Sequence, residues 1–244
     1  MHEIREVPAE QDLVQDTVQD VEQHAEPAAG PVTVKEVRES PRRPGRYTLQ
    51  LSDGRSLVLG LAALADSGAT RTGVVLEPAT LERLVREAAI TELTDRALGT
   101  LARGRRTRRE LEQRLRRREP DLTMVHAALD RLEASGALSD TIVANAEASA
   151  RLRRGEAPTR VRQTLRMKGI GDQDAARAVS NAVEQEGFDE LAACRSVAER
   201  RMRALGKLEP AVARRRLTAF LARRGFGGSV LHTVLAEQFR RGDR

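Results

Sequence analysis

A pair of apolar residues four positions apart, set among arginines, occurs three times in this 244-residue chain, and no other feature constrains its fold as tightly. Leu111 and Leu115 lie in Thr107-Arg-Arg-Glu-Leu-Glu-Gln-Arg-Leu-Arg-Arg-Arg118. Val161 and Leu165 lie in Pro158-Thr-Arg-Val-Arg-Gln-Thr-Leu-Arg-Met-Lys168, and Leu217 and Leu221 in Arg214-Arg-Arg-Leu-Thr-Ala-Phe-Leu-Ala-Arg-Arg224. Spacing by four puts each pair on one face of a helix. In the first copy Thr107 and Glu110 have the spacing of a capping box, which starts a helix by satisfying its free N–H groups. A second apolar series follows each pair in register. Val125, Ala175 and Leu231 stand ten residues after Leu115, Leu165 and Leu221, and Leu129, Val179 and Leu235 stand fourteen after. A glycine able to end an earlier helix precedes each copy, namely Gly104, Gly155 and Gly206. The period is roughly fifty residues, in the range of stacked helical units.

The spacing predicts nine repeat helices in three groups, over about 90–103, 107–118 and 121–135, then 141–154, 158–168 and 172–186, then 188–204, 210–224 and 228–240. Gly136 closes the third helix of the first group, Pro158 opens a helix, and Asp172 is the expected cap of another. The expected fold is mostly α: three tandem three-helix repeats, at 90–140, 141–187 and 188–244, forming an elongated curved body in which each unit packs on its neighbours. A small antiparallel β-containing segment at 31–89 comes first, behind an acidic tail at 1–30. That tail has eight acidic residues, one arginine and no sustained period, so it reads as disordered. It is a solubilising extension or an internal polyanion competing for the basic helices.

From Val32 the period changes to two. Val32, Val34 and Val37, then Tyr47, Leu49 and Leu51, then Leu57, Leu59 and Leu61 alternate with polar residues, which predicts a three-stranded meander. Arg42-Arg43-Pro44-Gly45 separates the first two strands. Ser52-Asp53-Gly54-Arg55 separates the last two, with Asp-Gly expected to supply the positive φ angles of a tight turn. A short helix near Leu61–Ser67 follows. So small a sheet needs cover, and a helix over Pro78–Ala89, with Leu81, Leu84, Val85 and Ala88 on one face, can supply it.

Composition removes several classes of function. No window approaches eighteen uninterrupted apolar residues, so no membrane span and no membrane partner is expected. The acidic N-terminus lacks a signal-peptide core, which points to the cytoplasm. Cys194 is the one cysteine and lies on an apolar stripe with Leu191, Ala198 and Met202, as a small core residue would. His2, His24, His126 and His232 are scattered, and no metal-ligand cluster, phosphate loop, nucleophile elbow or dinucleotide fingerprint is present. The reading is of a protein that is not an enzyme, with no cofactor and no metal.

Charge offers more. The chain carries +6 overall, but the first thirty residues hold about −7, so the rest holds about +13. The candidate contact residues are Arg105, Arg106, Arg108, Arg109, Arg116, Arg117 and Arg118 in the first unit. Arg151, Arg153, Arg154, Arg166 and Lys168 follow in the second, and Arg214, Arg215, Arg216, Arg223 and Arg224 in the third. Recurrence on equivalent helices could align them as a stripe that meets phosphate without reading base sequence. With no Trp, and only Tyr47, Phe188, Phe220, Phe226 and Phe239 as aromatics, base stacking is a poor candidate mode. The alternatives are a polyanion contact, an acidic protein groove, or a solvated face on a passive scaffold.

These stretches resemble the RecX family, bacterial regulators of the RecA recombinase. The resemblance rests on Thr107-Arg-Arg-Glu-Leu with Leu115, Leu132-Glu-Ala-Ser-Gly-Ala-Leu-Ser-Asp140, Arg154-Gly-Glu-Ala-Pro-Thr-Arg-Val-Arg-Gln-Thr-Leu-Arg-Met-Lys-Gly-Ile170 and Phe220-Leu-Ala-Arg-Arg-Gly-Phe226. It covers about 90–244, and 32–88 more weakly. Glu119-Pro120 replaces the Lys-Gly of the family pattern, Ile142 and Val143 fill a commonly aromatic place, and the acidic tail is outside the pattern. The resemblance implies a monomeric three-repeat protein of DNA repair, recombination and the SOS response. It would lodge in the groove of the RecA filament on single-stranded DNA and inhibit strand exchange, ATP turnover and coprotease function, or disassemble the filament. A direct, sequence-independent nucleic-acid binder is the alternative.

Overall fold

Each predicted helix triplet closes round its own apolar core, behind a short strand meander. A computed structural model describes residues 30–41 and 43–240. The expected acidic tail lies outside the described residues except for Gly30, and Arg42 of the first turn lies outside them too. The chain packs as two units, one ending at Val85 and the other starting at Arg86.

In the first unit β1 (Val34–Glu39), β2 (Arg46–Leu51) and β3 (Ser56–Gly60) form an antiparallel sheet in chain order, followed by α1 (Leu61–Asp66). Leu49 stands opposite Leu57, Tyr47 opposite Leu59 and Val34 opposite Leu51. Alternation buries Val34, Leu49, Leu51, Leu57 and Leu59, and α1 adds Leu64. Leu61 departs from the expected strand: it is exposed and opens α1. The β2–β3 turn also differs, because Gly54 alone takes a positive φ. Gly54 N–H donates to the Leu51 carbonyl at 3.2 Å and Leu51 N–H to the Arg55 carbonyl at 2.9 Å, a three-residue loop that needs one left-handed residue, not two. Asp53 instead accepts the Arg55 N–H at 3.0 Å. The outer edge of β1 is covered by Gly73 and Val74, bonded to Val34 at 2.8 and 2.9 Å, which blunts its capacity to pair with another chain. Of the face Leu81, Leu84, Val85 and Ala88, only Leu84 is fully buried.

α2 (Pro78–Leu101) is one helix of 24 residues where the periodicity suggests two. Its interior has no Gly or Pro before Gly99, so nothing stops the first helix at Ala89. Then come α3 (Arg108–Leu115), α4 (Leu122–Ala134), α5 (Asp140–Arg153), α6 (Pro158–Met167), α7 (Asp172–Glu186), α8 (Glu190–Leu205), α9 (Pro210–Arg223) and α10 (Gly228–Arg240).

Three separate cores match the three sequence copies. Leu111 and Leu115 pack with Ile90, Leu93, Val125 and Leu129. Val161 and Leu165 pack with Ala144, Ala148, Ala175 and Val179. Leu217 and Leu221 pack with Cys194, Ala198, Val234 and Leu235. Two residues move from their expected places: Leu231 is only partly buried beside Val234, and Phe188 packs on the second core rather than the third.

Helix ends follow the caps with instructive exceptions. The capping box is present, with Glu110 N–H on Thr107 Oγ1 at 3.2 Å and Thr107 N–H on Glu110 Oε2 at 3.1 Å. Asp172 does not cap α7, since Gly171 holds that place and the carboxylate turns to Arg162 at 2.6 Å. Gly206 is right-handed at φ −64°, whereas Gly155 is left-handed at φ +73°. α3 ends at Leu115, short of the expected Arg118, with the N–H groups of Arg118 and Glu119 both returning to the Leu115 carbonyl.

Consecutive triplets dock end against end through their middle helices. Thr107 Oγ1, at the start of α3, donates to the Lys168 carbonyl at the end of α6, 2.8 Å away. At the start of α6, Ala157 N–H donates to the Arg224 carbonyl ending α9 at 2.9 Å, and Thr159 Oγ1 to the Gly225 carbonyl at 3.0 Å. The positive end of one helix dipole thus meets the negative end of the next, and groups that helix ends leave unpaired find partners. Both contacts need a glycine. Gly169 and Gly225 each take φ +90°, and a Cβ there would stand 2.5 Å from the side chain of Arg109 or Arg160. The first triplet has no earlier triplet to receive the end of α3, which explains why Glu119-Pro120 is tolerated there.

Two stability measurements check this arrangement. Leu165→Ala, at a site with no exposure, is expected to lose about 2–5 kcal/mol in chemical denaturation as a core truncation. Gly225→Ala is expected to lose more than Gly136→Ala, which carries the φ strain without a neighbour within 4 Å; the strain alone is worth about 1–2 kcal/mol. Equal losses would mean the close approach at Gly225 contributes nothing.

Candidate functional site

The cationic residues singled out by sequence divide by whether a carboxylate neutralises them. Arg108, at the first turn of α3, holds Asp130 and Glu133 of α4 at 2.6 Å each. Arg151 reaches Glu147 at 2.7 Å and Glu156 at 3.0 Å, and Arg153 reaches Glu186 at 2.8 Å. Arg166 lies 3.4 Å from Asp172, Lys168 lies 3.5 Å from Glu110, and Arg116 lies 3.6 Å from Glu112. The pairs of Arg108, Arg153, Arg166 and Lys168 join neighbouring helices, those of Arg116 with Glu112 and Arg151 with Glu147 lie one turn apart, and where exposed such pairs contribute little to stability.

The others are less committed. Arg105, Arg117, Arg118, Arg214, Arg215, Arg216 and Arg223 are exposed and make no ion pair among the described residues. Arg106 donates only to the Arg105 carbonyl at 2.9 Å, and Arg109 lays its stem against Gly169. Arg106, Arg114 and Arg117 line one cavity of about 240 Å³ with Glu110. Arg154 and Arg224, seventy residues apart in sequence, are brought together when Arg224 donates to the Arg154 carbonyl at 2.8 Å. Neutralisation is uneven between triplets: Arg151, Arg153, Arg166 and Lys168 of the second are held by carboxylates, whereas Arg214, Arg215, Arg216, Arg223 and Arg224 of the third make no ion pair among the described residues.

Sequence reasoning missed Arg160, Arg200 and Arg201. Arg160 and Arg223 line a cavity of about 270 Å³ beside Gly225. Arg201 and Arg224 both stack on Phe220, each guanidinium carbon 5.1 Å from the ring centre. The spacing of Phe220 and Arg224, one helical turn apart, is legible in sequence, whereas Arg201 reaches the ring from another helix.

The lone cysteine lies in the core, as its apolar stripe predicts. Cys194 is fully buried, and burial pushes its thiol up to about 11, with Glu190 and Glu237 adding to it. His126 and His232 are exposed, and His126 lies 3.9 Å from Glu112. Among the described residues no cluster of three or more His, Cys, Asp or Glu could hold a metal ion, and no helix is long and apolar enough to cross a membrane.

The fold works against the charge of Asp140. Burial raises its pKa above 3.8, against the lowering effect of the Arg108 N–H, which it accepts at 2.8 Å. Its contribution to stability is therefore complete below 3.8 and is lost as pH rises through the folded value. Asp140→Asn keeps an acceptor for Arg108. Its urea midpoint is expected to gain on the unchanged chain between about pH 3 and about pH 7. A constant difference across that range would show that Asp140 ionises freely.

The arrangement defines a class: a tandem three-helix repeat protein whose surface is arginine-rich and unevenly neutralised. Residues 189–235 match the profile of the third three-helix domain of RecX. Regulatory protein RecX of Halorhodospira halophila is 39% identical over 151 residues, which span 61% of this chain and 89% of that one. The RecX of Amycolatopsis mediterranei is 33% identical, spanning 55% of this chain and 76% of its own length. The fold is also that of a crystal structure of regulatory protein RecX, with a TM-score of 0.66 at 19% identity over 83% of this chain and 98% of the other. RecX from Lactobacillus salivarius has a TM-score of 0.51 over 61% of this chain. The chain belongs to the RecX family of regulatory proteins.

Proposed function

We propose that this chain binds the RecA recombinase filament on single-stranded DNA in the cytoplasm, as a monomer, and lowers its strand exchange, ATP turnover and coprotease activity. Family membership supports a regulatory role. The observation that carries the finer reading is the set of exposed arginines without a carboxylate, Arg117 and Arg118 after α3 and Arg214, Arg215 and Arg216 on α9. Such groups keep their full charge for phosphate or for an acidic protein groove, and they steer association without fixing base sequence. The paired cations Arg108, Arg151, Arg153 and Arg166 serve the fold on this reading and contact the filament less.

The direct test is ATP hydrolysis by the cognate RecA on single-stranded DNA, with the full chain titrated below one copy per recombinase protomer. Inhibition in that range is expected. Arg116→Glu, Arg117→Glu and Arg118→Glu combined are expected to abolish it with helical content unchanged, since these side chains are exposed. Retained inhibition would reduce the cluster to a solvated face. If the chain fails to inhibit yet binds an oligonucleotide with a steep loss on adding salt, it acts as a plain nucleic-acid binder instead.

A further inference from the structure

The two junctions between triplets share a backbone but not a charge. At the first, Lys168 caps α6 with Glu110 at 3.5 Å and Glu147 at 4.0 Å, while Arg151 holds Glu147 and Glu156. At the second, Arg224 caps α9 in the place of Lys168, each just before a glycine at φ +90°. Arg201 stands in α8 where Arg151 stands in α5, because buried Ala144 and Ala148 correspond to buried Cys194 and Ala198. The cations recur; the carboxylates do not. Arg160 occupies the place of Glu110, Val197 that of Glu147, and Lys207 follows its helix-ending glycine as Glu156 does.

The result is a cavity of about 270 Å³ lined by Arg154, Val197, Arg200, Arg201, Phe220 and Arg224, without an acidic residue. None of these four arginines makes an ion pair among the described residues. Arg154 and Arg200 bond through Nε to carbonyls one turn back, at 3.0 and 3.4 Å, which pins their stems and leaves the terminal N–H groups free. Phe220 holds Arg201 and Arg224, each guanidinium carbon 5.1 Å from the ring centre. Arg201 Nε is the one buried side-chain polar atom among the described residues without a hydrogen-bond partner, a donor awaiting an acceptor. Four guanidinium groups lining one open cavity repel one another unless an anion joins them.

We infer that the junction of the second and third triplets is an anion-binding site that takes a phosphate group. A tetrahedral phosphate offers enough oxygens for several guanidinium forks at once, which a carboxylate does not. The phosphate is a phosphodiester of a nucleic acid backbone or free phosphate, and the site stands whether or not the chain binds a recombinase.

The test uses the full chain alone, so failure to inhibit RecA and failure of this site are separate results. Inorganic phosphate is expected to raise the thermal midpoint saturably above sodium chloride of equal ionic strength, since a ligand of the folded state stabilises it. Arg154→Gln with Arg200→Gln, both exposed, is expected to remove that rise, while Arg177→Gln with Arg203→Gln keeps it. For a labelled single-stranded oligonucleotide, the site variant is expected to flatten the slope of log affinity on log salt by about 0.7 if one phosphodiester occupies the cavity. An unchanged slope, with the phosphate response lost, assigns the site to free phosphate. No rise beyond chloride, an equal rise in the site variant, or a stronger response to a polyglutamate peptide than to phosphate overturns the inference.

Discussion

The contact on which the helical unit depends is a helix end meeting a helix end. Each three-helix group buries a modest core of its own, and one group is joined to the next by a short set of hydrogen bonds onto carbonyls, from the Ala157 N–H to Arg224 at one junction and from the Thr107 hydroxyl to Lys168 at the other. These bonds satisfy polar groups that would otherwise be left bare, and they oppose unlike dipole ends. Because they come from backbone, two threonine hydroxyls and glycines, they leave many neighbouring side chains free to vary, though not Gly155, Gly169, Gly225 or the fully buried Ala157. Nearest-neighbour joints of this kind are how repeat proteins build length from units too small to stand alone.

Much of this was legible in the chain. The pairs Leu111/Leu115, Val161/Leu165 and Leu217/Leu221 all lie in their predicted cores, because apolar spacing of four on an otherwise charged helix leaves burial no other face. Thr107 and Glu110 form their box for a local reason, readable within four residues. Misreadings arose where a stop signal was inferred and not present. Helix α2 runs on through Ala89 because neither glycine nor proline breaks it, and Asp172 forgoes its cap because Arg162 offers a stronger partner.

The candidate contact surface was less legible, for a physical reason. A list of arginines records charge but not neutralisation, which depends on carboxylates brought near by folding. Arg108 and Arg109 are neighbours in sequence, yet one is held by two carboxylates on α4 and the other lies across a glycine of the next triplet. Arg201 was overlooked because it lies within an apolar stripe, and only folding sets it over Phe220 beside Arg224. The comparison that finds such a residue is between repeats, position by position, rather than along the chain.

Docking through backbone has an evolutionary consequence. Since the joint asks for little beyond a helix start, a helix end and a glycine, duplicating a triplet duplicates a working joint. The side chains around the new copy are then free to drift without parting the array. The carboxylates around Lys168, and their absence among the described residues lining the cavity at Arg224, fit such drift: one joint plan present twice, and two surfaces open to separate selection.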